Sequence, residues 1–219
     1  MAISAIIFDL DGTLLDSVEG IGVGLNRALA EAGLPTHPLE RYREFVGEGI
    51  EHLVTLAMAP LPLDRAVLER YRSLYLDEMY RHSRPYPGVD QALLRLQGAG
   101  LKLAVLSNKQ HLATSQLVPH FFAGVRFDAI YGNRPDWPRK PDPTAALAIA
   151  DELGVAPVAC AFVGDSAIDC QTAQRAGMPL VAVTWGFKPR SELLEAGAQT
   201  LVDDADAMYA ALIQLARGG

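Results

Sequence analysis

Short, unbroken apolar runs alternate with segments of helical periodicity along most of this chain. Ala5-Ile6-Ile7-Phe8 reads as a strand buried on both faces. Similar runs recur from Leu101 to Leu106, Ala159 to Val163 and Leu180 to Thr184, with a weaker one from Phe127 to Tyr131. Leu201-Val202 fits a last short strand. Between these lie helical patterns. Val89 to Gln97 places Ala92, Leu93, Leu94 and Leu96 at helical spacing. Pro143 to Leu153 opens on a proline and stops at Gly154, and Ile168 to Ala176 stops at Gly177. Strands alternating with helices of this length predict a Rossmann-like α/β core, a parallel sheet covered on both faces.

One stretch departs from the alternation. From about Asp16 to Arg84 the spacing is helical and no strand pattern stands out. Ile21, Leu25, Ala28 and Leu29 form one apolar stripe; Leu68, Tyr71, Tyr75 and Met79 form another. Gly33-Leu34-Pro35 and Ala59-Pro60-Leu61-Pro62 punctuate the block as loops. The pattern predicts an all-helical cap domain, residues 16–84, inserted after the first strand of a core made of 1–15 and 85–219. No internal repeat or low-complexity tract interrupts it.

Composition narrows the partners. A chain of 219 residues is long enough to bury a substantial core without disulfides. The net charge of −7 argues against nucleic acid and against an anionic membrane surface. A small anion is still allowed, because a few local cations and a metal can outweigh the global field. The two cysteines, Cys160 and Cys170, match no zinc or redox spacing and read as buried hydrophobes. Met1 leads almost at once into the first strand, with no secretory pattern, and no apolar run approaches the roughly 20 residues that span a bilayer. The expectation is a cytoplasmic protein.

The chemistry concentrates at strand ends, where open parallel sheets bind ligands. The first strand closes in Asp9-Leu10-Asp11-Gly12-Thr13, two acids that an extended chain would point to one side, followed by a glycine that permits a sharp turn. A turn motif explains one Asp before Gly. It does not explain two acids closing an all-apolar strand, where burying charge is costly without a partner. Leu101 to Leu106 runs into Ser107-Asn108, a hydroxyl and an amide suited to phosphate oxygens, although such a pair alone is more often a turn. The run ending at Val163 leads to Gly164-Asp165-Ser166, with Asp169 four residues after Asp165. Asp165 should reach the same rim as Asp9; it and Asp169 could also simply cap the next helix. Lys140 lies in the loop before the helix at Pro143 and taken alone is a solvated charge. Carboxylates with little His or Cys favour a hard cation such as magnesium, Mg2+.

These residues resemble the motifs of the haloacid dehalogenase superfamily. Its nucleophile motif D-x-D-G-T is matched by Asp9 to Thr13, and its hydroxyl motif by Ser107, followed by Asn108-Lys109. Its K-P-x-P setting is matched by Lys140-Pro141-Asp142-Pro143, and G-D-S-x-x-D by Gly164 to Asp169. The resemblance covers essentially the whole chain. Val46 to Ile50, Arg84 to Gly88 and Thr184 to Phe187 look like the phosphoglycolate phosphatase branch. A departure is the 132–139 loop, with Asn133-Arg134-Pro135-Asp136-Trp137-Pro138, longer than usual before the lysine. The resemblance implies a magnesium-dependent phosphatase acting on a small phosphorylated metabolite, with 2-phosphoglycolate the first substrate. In it, Asp9 attacks phosphorus and Asp11 serves as acid and then base. Mg2+ is held by the Asp9 and Asp165 carboxylates and the Asp11 carbonyl. Ser107, Asn108 and Lys140 bind phosphoryl oxygens, with a Lys140–Asp9 pairing as a further expectation, and Asp169 orients the site from behind. The Gly47 to Ile50 loop and Arg27 are candidate substrate contacts.

Other readings stay open at this point. A sugar phosphomutase of the same superfamily would place a histidine twelve residues after the nucleophile, where this chain has Ile21. A dehalogenase lacks the second acid, and pyrophosphate or other small phosphates are alternative substrates. A phospho-aspartate signalling switch needs neither Asp11 nor a cap and is much shorter. Monomer and homodimer both fit.

Overall fold

A computed structural model of the protein describes residues 2–135 and 137–218. The chain enters on β1 (Ala5–Phe8), turns through β2 (Leu15–Asp16), and passes into four helices: α1 (Val18–Glu31), α2 (Tyr42–Phe45), α3 (Ile50–Met58) and α4 (Arg65–His82). It returns on β3 (Arg84–Pro85) and then alternates: α5 (Val89–Gly98), β4 (Lys102–Gln110), α6 (His111–Phe121), β5 (Ala129–Asn133) and α7 (Thr144–Glu152). The last third holds β6 (Cys160–Gly164), α8 (Ala167–Ala176), β7 (Leu180–Val183), α9 (Arg190–Glu195), β8 (Leu201–Val202) and α10 (Ala205–Ala216). No helix is long and apolar enough to cross a membrane, among the described residues.

Six strands form one parallel sheet in the order β5-β4-β1-β6-β7-β8. This is the Rossmann-like α/β core that the apolar runs predict. The unbroken run in β1 follows from its central place. Ile6 and Phe8 pack on one face with Leu93, Leu96 and Met208, while Ala5 and Ile7 pack on the other with Ala146, Ile149 and Ala173. Every position of β1 is therefore buried, and period-two alternation is lost. The strand order reverses at β1, and in such sheets the crevice at the reversal receives the ligand. Register brings the strand ends level: Phe8 stands opposite Val105 on β4 and Val163 on β6. The residues just beyond those three positions emerge together at the crevice.

The helices of residues 18–82 stand between β2 and β3, which pair antiparallel through Leu15↔Pro85 and Asp16↔Arg84. Both stripes read from the spacing pack inward: Ile21, Leu25, Ala28 and Leu29 on α1, and Leu68, Tyr71 and Met79 on α4, are buried. Tyr75 is only partly buried, because its ring faces a cavity toward the core. Three boundaries differ from the apolar pattern. The strand after Leu101 runs on through Ser107 to Gln110, with a register shift against β5 after Leu106. The weak run at Phe127 becomes a strand only at Ala129, since Asp128 instead ties the main chain of Leu103 through its own N–H and carboxylate. The two-residue strands β2 and β3 are too short to leave any periodicity.

Candidate active site

The crevice at the reversal point holds a cavity lined by Asp9, Asp11, Ser107, Asn108, Lys140 and Asp165, with a wall from the helical block. Asp9 directly follows β1, and its main-chain N–H donates to Val163 O at 2.9 Å, which fixes the chain as it leaves the sheet. Its Oδ1 accepts from Lys140 Nζ at 2.7 Å, and the same ammonium donates to Asp169 Oδ1 at 2.7 Å. Lys140, which alone would read as a surface charge, is 3 % exposed along its side chain. Asp169 has a second task. Its Oδ2 accepts from the Ser166 hydroxyl at 2.6 Å and from Ser166 N at 3.2 Å, closing a capping box at the start of α8. The helix-cap reading and the site reading of Asp169 are therefore both satisfied by one carboxylate.

Asp165 lies at the end of β6, with Oδ2 accepting from Phe187 N at 2.7 Å and Oδ1 from Thr13 Oγ1 at 3.4 Å. Its space is made by missing side chains. A Cβ on Gly12 would stand 2.3 Å from Asp165 Oδ2, one on Gly186 would stand equally close, and one on Gly164 would meet Asp169 Cβ at 2.3 Å. Gly12 also holds φ +89, which side chains rarely adopt. Gly12→Ala is expected to lower stability by roughly 2–3 kcal/mol from strain and overlap together. A wild-type melting temperature for that variant would show that the Asp165 pocket yields more than its walls suggest.

Asp11 also lines the cavity and has partners of its own. Its Oδ1 accepts from Ser17 Oγ at 2.6 Å and from Lys109 Nζ at 2.8 Å. Asn108 uses its whole amide on main chain: Oδ1 accepts from Lys140 N at 2.9 Å, and Nδ2 donates to Lys140 O at 3.0 Å and Gly47 O at 2.9 Å. The Ser107 hydroxyl accepts from Lys109 N at 3.2 Å and faces the cavity. Gly47, Gly49 and Ile50 line the cavity, whereas Arg27 does not; its guanidinium is paired with Glu31 and Glu78. None of the described residues of the 132–139 loop lines the cavity; Arg139 instead ties the loop to the helical block, its Nη1 donating to Glu48 O at 2.7 Å. Trp137 stacks on Tyr131 and Arg134 lies over both, while Asp136 falls outside the described residues.

The charge balance is lopsided. Asp9, Asp165 and Asp169 each offer a carboxylate oxygen, and the three lie within 4.8 Å of one another, all buried. One ammonium faces them. The Asp9 carboxyl is raised to about 7 on balance: burial pushes it up most, Lys140 pulls it down and Asp169 pushes it up. Burial, then Asp169 and Asp9, hold Asp165 well above the ordinary carboxylate range. Burial works against the Lys140 ammonium, yet Asp169 and Asp9 together raise it. Three buried carboxylates against one cation leave negative charge that a divalent ion would neutralise, and an all-oxygen donor set suits a hard one. Asp169 and Asp165 each have donors on both oxygens, whereas Oδ2 of Asp9 accepts no hydrogen bond among the described residues, so Asp9 is the carboxylate with most capacity left for a ligand.

The sequence pattern points to Asp9, Asp11, Ser107, Asn108, Lys140, Asp165, Asp169 and the Gly47 to Ile50 loop, and gives no role to Lys109, Ser17 or Phe187. Lys109 was within reach of it: in an extended strand, residues two apart share a face, and Lys109 is two beyond Ser107. Ser17 and the Phe187 N–H are brought in by turns and by a main-chain group, which side-chain pattern does not reveal.

Comparison with known proteins adds lineage to this geometry. Residues 6–183 match the family model described as haloacid dehalogenase-like hydrolase. A phosphoglycolate phosphatase of Pseudomonas putida is 34% identical over 210 residues, 93% of this chain and 77% of the relative. One of Pseudomonas syringae pv. tomato is 35% identical over 206 residues, 91% of this chain and 76% of the relative. A crystal structure from Lactobacillus delbrueckii subsp. bulgaricus, proposed to be a phosphoglycolate phosphatase, superposes with a TM-score of 0.90 at 32% identity. It covers 97% of this chain and is itself 99% covered.

Proposed function

This chain belongs to the haloacid dehalogenase-like hydrolase family as one of its phosphatases, and we propose that it hydrolyses 2-phosphoglycolate through a phosphorylated Asp9. The observation that carries this reading is the division of the two acids. Asp9 lines the cavity paired with Lys140, and Asp11 lines it in contact with Lys109 and Ser17. One carboxylate is thus placed to attack, and a second, with different partners, to move a proton.

In the first step an Asp9 oxygen forms a bond to phosphorus while the ester P–O bond breaks. The departing oxygen takes its proton from Asp11 and leaves as glycolate. In the second step Asp11 accepts a proton from water as that water attacks phosphorus, and the Asp9–phosphorus bond breaks to give inorganic phosphate. Lys140 and the Ser107 hydroxyl stabilise charge on the phosphoryl oxygens. Asn108 acts through its grip on the main chain of Lys140 and contributes no side-chain group of its own to the phosphate. Mg2+, held by the Asp9 and Asp165 carboxylates and the Asp11 carbonyl, would offset repulsion between the anionic nucleophile and the anionic substrate. Asp169 keeps Lys140 in place.

Residues 16–84 act in this reading as a cap domain inserted in a core of 1–15 and 85–219, closing the site against bulk water. Ile21 lines the cavity at the position where a mutase would need a proton-carrying side chain, which favours hydrolysis over transfer back to a sugar. The test is steady-state phosphate release from a panel led by 2-phosphoglycolate. Chelator is expected to lower turnover at least tenfold, and Mg2+ to restore it. Turnover that is indifferent to chelator would remove the metal from the mechanism, and a strong preference for another ester would move the substrate.

A further inference from the structure

We propose that Lys109 is the specificity-determining residue of this site, forming a subsite for a carboxylate on the leaving group. The proposal deepens the phosphatase reading above and rests on it. Lys109 stands at the far end of β4 and is 2 % exposed along its side chain. Its Nζ makes one hydrogen bond among the described residues, to Asp11 Oδ1 at 2.8 Å, and lies 5.0 Å from the centre of the Tyr75 ring. An ammonium has three hydrogens to donate. With one on Asp11 and the aromatic face covering a flank, donor capacity is left toward the cavity that Lys109 lines.

The same molecule shows what a filled arrangement looks like. Lys140, equally buried, holds two carboxylates at 2.7 Å each. Lys109 holds one, and the second place opens on the cavity. The other cations there have their own tasks: Lys140 holds two acids and serves the phosphoryl group in the proposed reaction, and Lys188 donates to the main-chain carbonyls of Arg43 and Glu44.

Position selects the ligand. Asp11 protonates the departing oxygen in the proposed first step, so a group 2.8 Å from Asp11 faces the atoms attached to that oxygen. In 2-phosphoglycolate the carboxylate is one carbon removed from it. The wall contributed by residues 21–75 offers Ile21, Val46, Ile50 and Leu53, with no charged side chain, so a polyol would find few partners there. A short acid placed with its carboxylate on Lys109 and its methylene against that wall satisfies both.

The experiment compares kcat/KM for 2-phosphoglycolate and ethyl phosphate, which share the phosphate and differ by the carboxylate, in wild type and in Lys109→Met. Wild type is expected to prefer 2-phosphoglycolate by at least tenfold. In the variant that ratio should fall roughly 10- to 100-fold, the scale of one hydrogen bond to a charged group. An unchanged ratio, with both esters slowed alike, would make Lys109 only a positioning residue for Asp11 and overturn the subsite. Wild-type turnover of both esters without preference would overturn it while leaving the phosphatase reading intact, even if the variant failed to fold. Wild type that released phosphate from neither ester would overturn both.

Discussion

Asp9→Asn is expected to fold and to lose phosphate release by on the order of 10⁴-fold or more, the scale of removing a nucleophile. Asparagine keeps the shape of the side chain and an oxygen able to accept from Lys140 Nζ, so packing should survive. It removes the negative oxygen that must bond to phosphorus. It also relieves the excess of buried carboxylates, because the Asp9 carboxyl is raised to about 7 by its burial. A carboxyl held that high costs the folded state stability, in full above the raised value and less and less as pH falls from there toward the ordinary carboxylate range. Above neutral pH, in chelator, the variant should therefore melt no lower than wild type. Loss of activity with an undiminished melting temperature is the joint signature. Activity within tenfold of wild type would mean that another group attacks, and the covalent step would have to be abandoned.

The second large effect is the reverse in character, because Lys140→Met should damage both activity and stability. Its ammonium is the cation between Asp9 and Asp169, and both partners are buried. Removing one member of a buried ion pair leaves uncompensated charge and typically costs about 3–5 kcal/mol. For a chain of this size that is a fall in melting temperature of roughly 6–20 °C. Turnover should drop about 10²- to 10³-fold as a donor to the phosphoryl oxygens disappears. The stability loss carries a pH signature. With Lys140 gone, the Asp9 carboxyl loses the cation that pulls it down and is held higher still, and its cost is lifted as it takes up a proton. The gap between variant and wild type in chelator should narrow as pH is lowered from about 8 to about 6. A gap that stayed constant with pH would point to lost packing by the lysine stem as the cause.

Much of the fold was legible because the central strands are short and wholly apolar. Ala5 to Phe8 and Cys160 to Gly164 are buried at every position, and nothing but a strand covered on both faces explains runs so short and so unbroken. Helices that carry weaker signals were not read. The segment of α6 contains Pro119, α9 has six residues, and α10 starts on the cap of Asp204, whose side chain accepts from Ala207 N. That last cap was visible as Asp before an alanine-rich run. Candidate site residues were legible where a charge followed an apolar run, as at Asp9 and Asp165. Asn108 shows the limit of that reasoning. Its chemistry suits a phosphate oxygen, but the fold presents it with two main-chain groups of Lys140 and the carbonyl of Gly47. Side-chain type constrains what a residue can bond to, and only the fold decides which partner is nearer.

The polar ties between the sheet and residues 43–48 share one trait. Asn108 and Arg139 end on the carbonyls of Gly47 and Glu48, Arg43 ends on Gly186 O, and Lys188 ends on the carbonyls of Arg43 and Glu44. A carbonyl is supplied by every residue type, so on the accepting side these ties are blind to sequence. Side chains at 44, 46 and 48 can then be exchanged by mutation without unfastening the two halves. A gene for such a protein can explore new leaving groups one substitution at a time while the attacking machinery stays enclosed. Its descendants should diverge in diet sooner than in chemistry.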